Sequence, residues 1–165
     1  MKRSFVIAGL LSALLFVDYA QAEDLKKTLG TFGSFMVGSW TPAEQTSQQG
    51  PTRHDYNWVL GGNFLHMKTT AKDAMPLIAI LGIEPKTNKL AWWAFFADGS
   101  VGPIYLTDHS DSKWTFEGDG AGPDGDETVK LIVEKTGDAT LTATRISTPA
   151  QGEPMTFIQN WKRHR

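Results

Sequence analysis

Among its 165 residues the chain has no cysteine, which excludes disulfides, thiolate nucleophiles and thiolate metal ligands. It has no surplus of positive charge either: 16 Lys and Arg stand against 18 Asp and Glu. Nucleic-acid binding needs a clustered basic surface, so a polynucleotide partner is not expected. Long apolar runs are scarce. The run Phe5–Val17 is too short for a permanent membrane span. Histidine is sparse as well, and His54, His66, His109 and His164 make neither an i, i+4 pair on a helix pattern nor an H-x-H on a strand pattern. No ready metal pair follows. No serine lies in a G-x-S-x-G elbow, and Ser110 between His109 and Asp111 reads as a polar turn rather than a triad. The acidic stretch "DGAGPDGDE" misses the calcium-loop pattern, because Ala121 and Pro123 hold the third and fifth positions counted from Asp119. It reads as a hairpin loop. Neither a metal nor a cofactor is expected.

What is present begins with an export signal. Lys2 and Arg3 precede the apolar run Phe5–Val17, and Ala20-Gln21-Ala22 is an A-x-A cleavage site. Residues 1–22 are expected to be a cleaved signal peptide, leaving 23–165 as one domain, periplasmic or secreted and without a membrane anchor. That remainder carries 14 basic and 17 acidic residues, a net charge of −3. Without cross-links a core must hold it together, and six Trp with seven of the chain's nine Phe supply much of that core.

Glu23 to Phe35 places Leu25, Leu29 and Phe32 on one stripe with Lys26 and Lys27 off it, which predicts one short amphipathic helix weakened by Gly30 and Gly33. After it, short apolar and aromatic runs alternate with turn signals, the pattern of an all-β sandwich or barrel. Strands are expected over Ser39–Glu44, Leu77–Ile83, Lys113–Gly118, Thr128–Lys135, Thr140–Ser147 and Met155–Arg163, besides two sharp hairpins. In "HDYNWVLGGNFLHMKT" the Gly61-Gly62 turn sets Trp58 opposite Leu65, Tyr56 opposite Met67 and His54 opposite Thr69 on an apolar face. The other face is mostly polar, so that strand pair has one side buried and one solvated. In "LAWWAFFADGSVGPIYLT" a two-residue Asp98-Gly99 turn groups Trp93 and Phe95 with Ile104, and Trp92 and Phe96 with Val101 and Tyr105. Both faces are apolar there, so both should be covered, by the helix, the interior or a partner. The predicted fold is all-β: a single antiparallel up-and-down barrel of about 8–10 strands after one short N-terminal helix.

Gly38-Ser39-Trp40, the meander after a small helix and the terminal "NWKRHR" together resemble the lipocalin-like (calycin) superfamily. The resemblance implies that Gly38 and Trp40 form the closed base of the barrel, with Arg163 across the Trp40 indole and Lys162 on the opposite parity. More closely, "WVLGGNFL" and "LGIEPKTNKLAWWAFFADGS" resemble uncharacterised exported bacterial lipocalin-like domains over nearly the whole of 23–165. The usual lipocalin Thr-Asp-Tyr has only an echo in Thr107-Asp108-His109, and the usual disulfide is impossible.

Trp58, Trp92 or Trp93, and Trp114 recur on successive strands and are candidates to line a cavity, joined by His54, Tyr56, Met67 and Tyr105. The competing reading is that they only fill the core, as side chains do in small barrels. Three functions stay open: a non-enzymatic binder of a small apolar or aromatic molecule, an enzyme using His54 with a nearby carboxylate or tyrosine, and an interaction protein whose doubly apolar Trp92–Phe96 strand is a homodimer face.

Overall fold

Leu25, Leu29, Phe32 and Met36 recur at helical spacing, and in the computed structural model residues 23–36 form one helix, α1, with those side chains turned into the core. The structure describes residues 23–44, 52–70, 77–122 and 125–164, so the expected signal peptide lies outside the described residues. Ten strands follow α1: β1 Gly38–Pro42, β2 Arg53–Val59, β3 Phe64–Thr70, β4 Leu77–Glu84, β5 Lys89–Phe96, β6 Val101–His109, β7 Lys113–Gly122, β8 Gly125–Gly137, β9 Thr140–Pro149 and β10 Met155–His164. Each pairs with its sequence neighbours, and β10 closes on β1 through Trp40↔Arg163 and Pro42↔Trp161. The result is the expected all-β, closed, antiparallel up-and-down barrel, whose closure removes the sheet edges that would otherwise invite aggregation.

The β2–β3 hairpin has the register its turn residues dictate, from Arg53↔Thr70 through Tyr56↔Met67 to Val59↔Phe64. Gly61 and Gly62 take φ of 71° and 85°, the left-handed region that Cβ-bearing residues avoid, and Asn63 Nδ2 donates to the Leu60 carbonyl. The β5–β6 hairpin departs from its expected register. Its loop has three residues, not two: Phe96 N–H donates to Ser100 O, and Gly99 at φ 87° closes a turn back onto the Phe96 carbonyl. A shift of one residue flips a strand face. Trp92 therefore pairs with Ile104 on the inside, while Trp93, Phe95, Val101 and Tyr105 face outward. The outer side of β5 also stays bare, with Ile78, Phe95 and Val101 each over two-fifths exposed.

The stretch 118–127 is a second departure, since its described residues, 118–122 and 125–127, are strand rather than loop. β7 and β8 continue through it from Gly118↔Val129 to Gly122↔Gly125. Glycine is required at position 118 for packing: a Cβ there would sit 2.4 Å from the Pro103 carbonyl oxygen on β6.

Odd-numbered strands all start at one end of the barrel, which α1 closes as a floor. Phe32 points from α1 into the barrel and meets Trp92, Trp114 and Phe116 edge-on at centroid distances of 5.1–5.9 Å. Gly33 lets the helix lie against Trp58, whose ring would be 2.2 Å from any Cβ at that position. Around Phe32, Leu65 and Leu81 no space for a water molecule remains.

Candidate functional site

The C-terminal end of α1 leaves carbonyls that the helix itself cannot satisfy. Two side chains from opposite ends of the chain take them. Trp40 donates its indole N–H to Met36 O at 2.7 Å, and Arg163 donates from Nη2 to Phe35 O. The guanidinium also lies 4.9 Å from the Trp40 ring centroid and 5.8 Å from that of Phe35, with Lys135 Nζ 5.4 Å from the same Phe35 ring. Cations at this point complement the negative pole of the helix. Gly38, at φ 119°, turns the chain from α1 into β1 beside the Arg163 side chain. Gly38, Trp40 and Arg163 thus build the barrel floor.

On the mouth side of Trp40 the barrel holds a cavity of about 320 Å³. It exists because the inner positions there are small: Ala94 on β5, Gly102 on β6, Gly120 on β7 and Ala143 on β9 present little or no side chain to fill it. The rest of the lining is aromatic, with Trp40, Tyr56, Trp92, Phe96, Phe157 and Trp161, and aliphatic side chains of β8 complete it. Such a lining with few polar groups is usual for a small-molecule site.

His54 and Tyr56 project from β2 into this space. The imidazole lies 4.2 Å from the Trp161 ring and 6.4 Å from Tyr56. Burial lowers the His54 pKa to about 4 against a weaker opposing pull from Asp55, so the ring is neutral near pH 7. Burial likewise pushes the Tyr56 phenol up, keeping it protonated. Asp55 points the other way: it accepts from Ser39 Oγ at 2.5 Å and from Arg53 Nε at 2.7 Å on the outer face. No acid–base pair of His54 with that carboxylate is assembled. Among the described residues neither the His54 ring, the Tyr56 hydroxyl nor the Gln159 amide has a hydrogen-bond partner. At the mouth Arg145 Nη2 donates to Glu127 Oε1 at 2.5 Å, and the Glu127 side chain is only 11 % exposed. Among the described residues no group of three or more His, Asp or Glu is placed to hold a metal ion.

Of the residues expected on a ligand wall, His54, Tyr56, Met67 and Trp92 meet at the cavity. Trp58 and Trp114 do not, because α1 fills the closed end where they lie: Trp58 packs on Gly33, and Trp114 is buried against Phe32 and Phe35. Trp93 and Tyr105 are on the outer surface, Trp93 by alternation with the inward Trp92 and Tyr105, beneath Lys89 Nζ at 5.5 Å, as the three-residue loop requires. Sequence reasoning missed Trp161, Gln159 and Phe157, although all share the parity of Arg163 on β10. It also missed Glu127 and Arg145, which only the full β7–β8–β9 register brings together.

The closed ten-stranded antiparallel barrel with its N-terminal helix is compatible with a lipocalin-like fold. No protein-family model matches the chain, and no curated protein matches it.

Proposed function

We propose that this is an exported, lipocalin-like protein that holds a small apolar or aromatic molecule inside its barrel, acting as a binder rather than an enzyme. The observation that carries this reading is the cavity itself. Its volume of about 320 Å³ falls at the lower end of the roughly 300–1,000 Å³ typical of small-molecule sites. A purely structural barrel would fill that space with side chains. Periplasmic or secreted localisation rests on the export signal of residues 1–22.

Trp40, Trp92 and Trp161 surround the cavity, so an occupant will perturb intrinsic fluorescence. Titration with a panel of single-chain lipids, quinones and haem should give saturable quenching by at least one member. Absence of quenching by every member would sink the proposal.

A second reading has its own observation. The outer face of β4–β6 carries Ile78, Phe95 and Val101 in one cross-strand row, exposed at 43–50 %. A homodimer through that face would cover the row with its own symmetry copy. Sedimentation analysis would show a dimer that Phe95→Lys dissociates; a monomer at high concentration would dismiss it.

A further inference from the structure

The cavity carries a pattern of polarity that narrows what it takes, an argument that rests on the binding reading above. Among the described residues its wall has one anion and one cation, Glu127 and Arg145, and they are bonded to each other. The remaining polar side chains on the wall, His54, Tyr56 and Gln159, are uncharged donors and acceptors with no protein partner among the described residues. An ionised ligand group inside would therefore meet no free countercharge among the described residues. Burying an unpaired charge among apolar side chains is costly, whereas an uncharged polar group loses little once it is hydrogen-bonded. Asp119 and Asp126, set with Glu127 around a hollow at the mouth, further oppose an approaching anion.

We infer that the site selects uncharged aromatic molecules bearing a hydroxyl or carbonyl group, and discriminates against carboxylates of the same skeleton. The aromatic body would lie against Trp92 and Trp161, and its polar atom would reach one of the uncharged polar groups of the wall, His54 and Tyr56 with ring centroids 6.4 Å apart on β2 or Gln159 on β10. Neutral imidazole and amide groups each offer both a donor and an acceptor, so they accommodate either a hydroxyl or a carbonyl. A site built around unpaired polar groups also favours the ligand that bonds them over the bare hydrocarbon.

Calorimetric titration of the protein at pH 7.5 with naphthalene, 2-naphthol and 2-naphthoate tests this. The expected order is naphthol tightest, at least ten-fold tighter than naphthoate, with naphthalene between. Gln159→Leu and His54→Phe should each reduce the advantage of naphthol over naphthalene, with thermal melting reporting that the variants are folded. Glu127→Gln should free the Arg145 guanidinium and raise naphthoate affinity about ten-fold. Naphthoate binding as tightly as naphthol, or a naphthol advantage that survives both Gln159→Leu and His54→Phe, would overturn the selectivity alone. Failure of all three compounds to bind, naphthalene included, would overturn the cavity reading beneath it.

Discussion

The two halves of this barrel are built from similar residue types and do opposite things. In the floor half, α1 inserts Phe32 among Trp92, Trp114 and Phe116, and the Trp40 indole and Arg163 guanidinium close the helix end. Every apolar side chain there has a neighbour. In the mouth half, Ala94, Gly102, Gly120 and Ala143 withhold side chains, and Trp161, Phe157 and His54 each border the open cavity on one side. The difference is one of partner volume, not of hydrophobicity. One helix at one end suffices to make half of a small barrel a core and leave the other half a container.

That division ranks the effects of substitution. Trp40→Ala should cost most, about 3–5 kcal/mol, because it empties a fully buried site and leaves the Met36 carbonyl without its donor. Phe157→Ala at the mouth, where the ring is already 56 % exposed, should cost less than about 1 kcal/mol. Denaturant unfolding of both variants measures the contrast, and equal losses would break it.

Next comes pH. His54 titrates at about 4 in the fold against 6.5 unfolded, so between those values the unfolded chain binds a proton that the folded chain excludes. Stability should therefore be flat above pH 6.5 and fall as pH drops toward 4, by up to about 3 kcal/mol at one pKa unit per 1.4 kcal/mol. Asp55, whose pKa is held below its ordinary value by Ser39 and Arg53, adds its loss only at lower pH, below its unfolded pKa near 3.8. His54→Phe should remove the slope between pH 4.5 and 6.5 in unfolding titrations. An unchanged slope would mean the imidazole is not shielded by the cavity wall.

Gly33→Ala should cost about 1–3 kcal/mol through overpacking, since the added Cβ overlaps the Trp58 ring and must displace it. Thermal melts of the single variant and of Gly33→Ala with Trp58→Leu measure this. The double variant should lose less than the sum of the two single changes.

Much of the barrel was legible where turn chemistry is unambiguous. Gly61-Gly62 fixed the β2–β3 register residue by residue, and the alternation in β10 was readable from Arg163 outward. The Asp98-Gly99 turn was ambiguous because a two-residue loop and a three-residue loop with glycine last share the same residues. That single residue moved Tyr105 from wall to surface, whereas Trp93 faces outward by alternation with the inward Trp92. The stretch 118–127 read as a loop by composition, yet its glycines serve close packing against β6 and an open wall. Half of the candidate site was visible as aromatic residues on apolar faces. The Glu127–Arg145 pair was not, since a cross-strand contact 18 residues apart depends on register that no local signal supplies.

The claim that the mouth half is a container is tested most directly by filling it. Ala143→Phe places a ring into the cavity from β9. Calorimetric titration of 2-naphthol into the wild type and into this variant, with both folds checked by thermal melting, should give binding to the wild type and a loss of at least ten-fold in the filled barrel at little change in melting temperature. Equal binding by both proteins would locate the ligand elsewhere and contradict the account.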